Sequence, residues 1–303
     1  TPCGTLFPYT TLFRSLLSLL LFFRLPASMG GRWAALLCLM LFAFNQSLVY
    51  YSTEFKPYSV DILATVVLLV LFLRRRPGIM DERGEPDLLL FSVVASIMVW
   101  FSFPAVFTVA GMVIAEWVHQ LTVAHRVRPR KLLPPTLLPA MSFMFNKAIH
   151  LDDIRDNAGL IDFWDSGFFP NPTTGPGIRW YLERPFMLLD HPAGYRLGGL
   201  AALMIIVGTV VLWKQQRRTV IAVSATVGAT LAAALVRAYP LRGRLVVFLA
   251  PFAVLIGGIG LAKLMELLTA FSRRAAWGVL ALYLLFPLYE TARRTLNPVG
   301  REH

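Results

Sequence analysis

Nine apolar runs, each approaching the length that crosses a bilayer, follow one another along the chain between shorter polar segments. A transmembrane helix needs about 20 predominantly apolar residues. Because the bilayer core offers the backbone no hydrogen-bonding partner, such runs predict helices. We therefore predict an all-α, polytopic transmembrane helix bundle. The predicted spans are Trp33–Tyr51, Tyr58–Leu73, Leu88–Phe101, Pro104–Val118, Leu132–Ile149, Leu197–Trp213, Thr219–Val236, Leu245–Ala262 and Ala276–Tyr289.

The composition excludes an ordinary soluble domain. Hydrophobic residues make up 56% of the chain, charged residues only 15%, and the mean hydropathy is +0.62. Soluble domains are about 45–50% apolar and about 25% charged. The net charge of +12 lies in short basic clusters between the apolar runs, so membrane topology explains it better than a nucleic-acid partner. Of the two cysteines, Cys38 lies inside an apolar run and is expected to pack in the core.

The beginning of the chain differs from the rest. Thr1–Ser15 matches neither a signal peptide nor a helix, and it resembles translated sequencing-adapter sequence. The apolar run Ser15–Phe23 is too short to span a bilayer, and we interpret it as the stump of a helix. We therefore expect residues 1–15 to be a non-native leader and residues 16–303 to be a single transmembrane domain fragment.

The basic clusters predict the orientation of the spans. Five of them fall on one face if Leu88–Val118 is a hairpin that turns at Ser102–Pro104, and the positive-inside rule makes that face cytoplasmic. Arg293 and Arg294 fall on the other face, in conflict with this orientation. The five clusters are Arg24 with Arg32, Arg74–Arg76, Arg126–Lys131, Lys214–Arg218, and Arg273 with Arg274. The opposite, extracytoplasmic face then carries three polar segments. These are Ser52–Pro57, the long loop Leu151–Arg196 and Arg237–Arg244.

The first polar segment offers an acid and a base. Glu54 and Lys56 lie in the turn, and Asp61 follows about one turn into the next helix. A charge at membrane depth is costly, although a carboxylate near a helix N-terminus is favoured by the helix dipole. A functional site and a simple surface arrangement, in which Asp61 caps and Glu54 pairs with Lys56, both remain open.

The third polar segment places arginines where the positive-inside rule disfavours them. Arg237, Arg242 and Arg244 surround Tyr239 at the end of a predicted span. A guanidinium group matches phosphate oxygens in a two-point geometry. We infer a phosphate-bearing lipid or substrate, with snorkelling toward lipid headgroups as the alternative.

The long loop is rich in proline, glycine and aromatic residues. We expect short surface helices within it, for example over Gly177–Leu189, with aromatic side chains in the lipid headgroup layer. Those side chains are Trp180, Tyr181 and Phe186. The acidic residues Asp152, Asp153 and Asp156 have a spacing that suits a divalent cation, but a solvated loop face is the favoured interpretation.

Several stretches together resemble one protein family. They are Gly31-Arg32, Tyr51–Asp61, Trp100–Phe107, Phe163–Pro170 and Tyr239–Pro251. In this order, and over most of residues 30–262, they resemble the bacterial membrane glycosyltransferases of family 39 type. These proteins share the GT-C fold with the protein mannosyltransferases and the aminoarabinose transferases of lipid A.

The resemblance implies a GT-C-like enzyme of the bacterial inner membrane. Such an enzyme moves a sugar from a polyprenyl-phosphate-linked donor to a glycan, lipid or protein acceptor on the extracytoplasmic side. The donor site is then expected among the matching polar positions, which are Lys56, Tyr58, Arg237, Tyr239, Arg242 and Arg244. The family's principal catalytic Asp belongs to a loop that would precede residue 16, so the base is unassigned. Glu54 and Asp61 are assigned supporting roles, and whether the fragment is active stays open.

Two other classes compete with the enzyme. A transporter or flippase of lipid-linked sugars would place charges near the bilayer midplane and use broken helices. Here the polar groups gather at the ends of the predicted spans, which favours an enzyme. A non-catalytic membrane assembly subunit is the third interpretation.

Overall fold

The computed structural model describes residues 7–53, 57–74, 85–122, 129–150, 159, 163–195 and 197–296. These residues form an all-helical structure with 88% helix and no strand, which confirms the predicted fold class at this level. The α-helices are α1 (Phe7–Ala43), α2 (Gln46–Thr53), α3 (Tyr58–Arg74), α4 (Glu85–Phe101), α5 (Ala105–Thr122), α6 (Pro129–His150), α7 (Gly175–Asp190), α8 (Gly198–Gln215), α9 (Arg217–Leu235), α10 (Ala250–Phe271) and α11 (Arg273–Leu296). Two 3₁₀ helices span Asp165–Gly167 and Gly243–Leu249.

Five segments of the described residues are long and apolar enough to cross a membrane. They are Thr10–Ala43, Ala105–Thr122, Gly198–Gln215, Arg217–Leu235 and Gly243–Phe271. A chain with several such helices is an integral membrane protein. The number of spans, predicted to be nine, stays a prediction.

The N-terminal region departs from the sequence-based expectation. Residues from Phe7 onward are helical, so the prediction that Thr1–Ser15 contains no helix was wrong for its second half. The run interpreted as a stump is part of α1, which continues to Ala43 across a break at Gly31. Gly31 has φ 76°, a left-handed conformation that glycine adopts without steric cost.

The first predicted span, Trp33–Tyr51, is also wrong, because α1 ends at Ala43 and a new helix begins at Gln46. Asn45 causes the break. Its side-chain oxygen accepts hydrogen bonds from the backbone amides of Ser47 (2.9 Å) and Leu48 (3.2 Å), which caps α2. An asparagine within an apolar run therefore starts a second helix here instead of continuing the first.

The hairpin inferred from charge is confirmed. α4 ends at Phe101 and α5 begins at Ala105, and the backbone amide of Ala105 donates to the carbonyl of Ser102 across the turn (3.1 Å). The two helices contact each other. Pro104 stands just before α5, a position where its missing N–H costs no helical hydrogen bond.

Small residues bring the helices into close contact. A Cβ built on Gly208 of α8 would lie 1.9 Å from the carbonyl oxygen of Ile256 on α10, and one on Gly260 would lie 1.9 Å from that of Met204. A Cβ on Gly258 would meet the sulfur of the buried Cys38 at 2.3 Å. Glycines in membrane helices permit such approaches. The predicted packing of Cys38 in the core is confirmed.

Two ends of the bundle can be told apart by side-chain contacts. Arg218 of α9 pairs with Glu116 of α5 (2.6 Å) and lies over the ring of Phe72 of α3 (3.9 Å). The start of α9 therefore meets the C-terminal parts of α5 and α3 at one end of the bundle, which we call the far end. At the other end, the ring of Tyr239 lies 5.0 Å from that of Phe107 near the start of α5. The segment 163–195 also packs at this end of the bundle, which we call the loop end.

Candidate functional site

The segment after residue 163 is attached to the turn that follows α9. The backbone amide of Leu241 donates a hydrogen bond to the carbonyl oxygen of Gly167 (2.7 Å). A Cβ on Gly167 would lie 2.7 Å from the Cβ of Pro240 and 3.1 Å from that of Arg242. The absence of a side chain at Gly167 therefore permits this contact, which brings the 3₁₀ helix Asp165–Gly167 against the arginine-bearing turn.

Helix α7 supports the same segment from the other side. The cap of α7 is Thr174, whose side chain accepts from the amide of Gly177 (3.1 Å). The indole of Trp180 donates to the carbonyl of Ser166 (3.1 Å), and the hydroxyl of Tyr181 donates to that of Pro170 (3.1 Å). The helix predicted over Gly177–Leu189 is thus present. The side chains of Trp180 and Tyr181 thus bind the loop backbone, whereas Phe186 is exposed. Their predicted place in the headgroup layer stays a prediction.

Tyr239 lies buried beneath the turn. Its hydroxyl donates to the carbonyl oxygen of Leu245 (2.6 Å), and its ring packs against Phe103, Phe107 and Phe248. Burial raises the pKa of the Tyr239 phenol well above its ordinary value, and the nearby Asp61 and Tyr58 raise it further. Tyr239 therefore stays neutral and forms the polar floor of the loop end.

Asp61 occupies the first turn of α3 and is buried. Its backbone amide donates to the carbonyl of Pro57 (3.1 Å), so the residue belongs to the helix start, where the dipole favours a carboxylate. The hydroxyl of Ser102 lies close to this carboxylate, outside the geometry of a good hydrogen bond. The structure therefore places a buried acid at the start of α3, near enough to Tyr239 to raise the pKa of its phenol.

Three predicted arginines converge above this floor. The guanidinium group of Arg244 lies over the rings of Tyr58 (5.7 Å) and Trp164 (5.4 Å). Arg242 donates a hydrogen bond to the hydroxyl of Ser166. Arg237 forms an ion pair with Asp165 and lies 5.3 Å from the centre of the Phe168 ring. Each arginine thus reaches the segment 164–168.

A fourth arginine, Arg184 of α7, was missed by the sequence analysis. It donates a hydrogen bond to the carbonyl oxygen of Ser166 and lies over the ring of Trp180 (4.5 Å). Burial lowers the pKa of its guanidinium group, and the neighbouring Arg242 lowers it further. Its Nε atom is buried without a hydrogen-bond partner among the described residues. The positively charged side chains of Arg184 and Arg242 therefore both bind Ser166 and lie close to each other.

Among the described residues, the arginine cluster carries more positive than negative charge. Within the part of the chain that the structure describes, Arg237 has an acidic partner, whereas Arg184, Arg242 and Arg244 have none. Like charges this close are unfavourable unless an anion or water compensates them. The arrangement is therefore suited to binding an anion with several oxygens.

The sequence-predicted residues divide into two groups. Tyr58, Asp61, Tyr239 and Arg244 are brought together, and Arg237 and Arg242 join them through the loop. Glu54 and Lys56 lie outside the described residues, as do Asp152, Asp153 and Asp156. Among the residues that are described, no group of three or more His, Cys, Asp or Glu side chains is placed to hold a metal ion.

The fold and the site define an all-helical integral membrane protein with a cluster of arginines at one end of its bundle. No protein-family model, curated protein or solved structure matches the chain.

Proposed function

We propose that the protein is a membrane glycosyltransferase of the GT-C class. It moves a sugar from a polyprenyl-phosphate-linked donor to a glycan, lipid or protein acceptor on the extracytoplasmic side of the bacterial inner membrane. The observation that supports this proposal is the convergence of Arg184, Arg242 and Arg244 beside Ser166 and Tyr58, without acidic partners among the described residues.

The arginines act on the phosphate of the donor. During transfer, the acceptor hydroxyl attacks the anomeric carbon, the bond from that carbon to the phosphate oxygen breaks, and polyprenyl phosphate leaves with additional negative charge. Hydrogen-bond donors that are already positioned around this charge stabilise the transition state more than they stabilise the bound substrate. Arg242, Arg244 and Arg184 supply these hydrogen-bond donors, together with Lys56, which precedes α3 in the sequence.

Arg237 has a different part in the proposed site. Its charge is balanced by Asp165 on the 3₁₀ helix, so it holds the loop over the site and contributes less to the phosphate. An exposed ion pair of this kind contributes about 0–1 kcal/mol to stability, which permits the loop to open for a lipid substrate.

Proton removal from the acceptor requires a carboxylate within hydrogen-bond reach. Glu54 and Asp61 flank Tyr58 in sequence and are assigned supporting roles. Asp61 is buried in the first turn of α3, which suits a residue that supports the floor of the site better than one that meets the acceptor.

A turnover assay tests the proposal. The protein is reconstituted in liposomes with polyprenyl-phosphate-linked sugars and a lipid acceptor, and the release of free polyprenyl phosphate is measured. We expect release by the wild type and a loss of roughly ten- to hundredfold for Arg242→Ala and Arg244→Ala, the effect of removing a hydrogen bond to a charged group. Arg179→Ala is the matched control, because Arg179 also lies on the loop end but pairs with Glu183 on the surface of α7.

Two outcomes would count against sugar transfer. One is the absence of release with every donor sugar tried, even where the donor binds. The other is an equal loss in Arg179→Ala, which would mean that only the general positive charge of the loop end matters.

A further inference from the structure

A cavity of about 950 Å³ lies between α1, α8, α10 and α11, away from the arginine cluster. Helices α8 and α10 run side by side, with Gly208 against Gly260, and the cavity continues from there to their C-terminal ends. Because α10 begins at the loop end and has 22 residues, its C-terminal end lies about 30 Å away, at the far end. The cavity is therefore separate from the proposed glycosyltransferase site.

The inner wall of this cavity is apolar and is open on the side of α8. It is formed by Leu37 of α1, Ile206 and Val210 of α8, and Ile259 of α10. The side chains of Ile206 and Val210 are 60% and 51% exposed, so this side of α8 is not covered by other described helices. The volume is within the roughly 300–1,000 Å³ typical of sites for small ligands, and the wall suits a hydrocarbon chain.

The outer rim of the cavity is cationic. Lys214, Lys263 and Arg273 line it, with Glu266 as the accompanying acid. Lys263 pairs with Glu266 (2.8 Å), which leaves Lys214 and Arg273 without an acidic partner in the described part of the chain. The rim therefore carries an excess of positive charge directly above an apolar wall.

Two tryptophans mark the level of the rim relative to a membrane. Trp33 and Trp277 line the cavity and contact each other edge to face, with ring centres 6.0 Å apart. Tryptophan is enriched at the boundary between hydrocarbon and headgroups. Lys214 and Arg273 thus stand at the height of phosphate groups, and Ile206 and Val210 at the depth of acyl chains.

We propose that this cavity binds one anionic phospholipid. Its phosphate lies between Lys214 and Arg273, and an acyl chain lies along Ile206 and Val210. Charge complementarity selects this occupant, because basic pockets between transmembrane helices bind anionic headgroups. The site is independent of sugar transfer and would exist if the protein had another activity.

Photo-crosslinking in nanodiscs tests the site. The wild type is placed in phosphatidylcholine nanodiscs containing a small fraction of phosphatidylglycerol with a diazirine in its acyl chain, and labelled peptides are identified by mass spectrometry. We expect labels within Ile206–Lys214 and Ile259–Thr269, with little labelling by the equivalent diazirine phosphatidylcholine. Inorganic phosphate in millimolar excess should not compete, because the acyl chain contributes to binding.

The variant Lys214→Gln/Arg273→Gln should need about 30-fold more phosphatidylglycerol for the same labelling, since each basic residue near a membrane surface contributes about fivefold. The control Arg24→Gln/Arg130→Gln removes two exposed charges outside the cavity and should label like the wild type. Size-exclusion chromatography and thermal unfolding verify that both variants fold.

Equal labelling by both lipids, unchanged labelling in Lys214→Gln/Arg273→Gln, competition by inorganic phosphate, or labels only outside the two segments would each overturn the proposal. If the variant does not fold, the comparison of the two lipids on the wild type decides alone.

Discussion

The backbone amide of Leu241 donates a hydrogen bond to the carbonyl oxygen of Gly167, at 2.7 Å. This bond joins the turn after α9 to a segment more than 70 residues earlier in the chain, and it does so at the residue before Arg242. The position of the arginine cluster therefore depends on a backbone contact that tolerates no side chain at Gly167.

The substitution Gly167→Ala should loosen this contact. The new Cβ would lie 2.7 Å from that of Pro240, and overpacking of this kind costs about 1–3 kcal/mol. We expect faster amide hydrogen exchange at Leu241 and across residues 163–170. In the control Gly175→Ala, an added Cβ meets nothing within 4 Å, so exchange should not change. Unchanged exchange in Gly167→Ala would show that the loop is not held by this bond.

Asn45 connects the start of α2 to the end of the long loop. Its side-chain nitrogen donates to the carbonyls of Pro192 (3.2 Å) and Ala193 (2.8 Å), and it is buried. Asn45→Ala should lower the thermal unfolding midpoint, because unpaired buried groups cost about 1–3 kcal/mol each. Asn45→Ser restores the cap of α2 but cannot reach both carbonyls, so its midpoint should be intermediate.

The control for Asn45 is Ser52→Ala, which removes only a local hydrogen bond within α2. Its midpoint should stay near that of the wild type. A midpoint for Asn45→Ala equal to that of Ser52→Ala would mean that the loop attachment contributes nothing to stability.

The ion pair between Glu116 and Arg218 joins α5 to α9 at the far end, with side chains 13% and 7% exposed. Removing one partner of a buried pair costs about 3–5 kcal/mol, whereas replacing both by apolar residues is often neutral. Glu116→Leu and Arg218→Met should therefore each lower the unfolding midpoint. The double variant Glu116→Leu/Arg218→Met should recover most of the loss, and additive losses in the double variant would exclude this coupling.

Part of this architecture follows from local sequence signals. The turn between α4 and α5 was predictable because Pro104 and the distribution of basic residues both point to it. Tyr58, Asp61, Tyr239 and Arg244 were predictable as one group because each lies at the end of an apolar run that opens on the same face.

Other features depend on tertiary contacts that no local pattern reports. In the sequence, Arg184 cannot be distinguished from other arginines on amphipathic surface helices. It belongs to the site because Ser166, which it binds, also binds Arg242. The break after Ala43 was equally hidden, since Asn45 sits within an apolar run. Its capping bonds, and its contacts with residues almost 150 positions away, become visible only in three dimensions.

Binding of a lipid phosphate by the arginines of the loop end can be measured directly. The equilibrium affinity of the purified protein for polyprenyl phosphate is compared with that for neutral polyprenol, in the wild type and in Arg242→Ala/Arg244→Ala. We expect the wild type to bind polyprenyl phosphate at least about tenfold more tightly than polyprenol and the double variant to lose this preference. Equal affinity of the wild type for both lipids, or an unchanged preference in the variant, would contradict it.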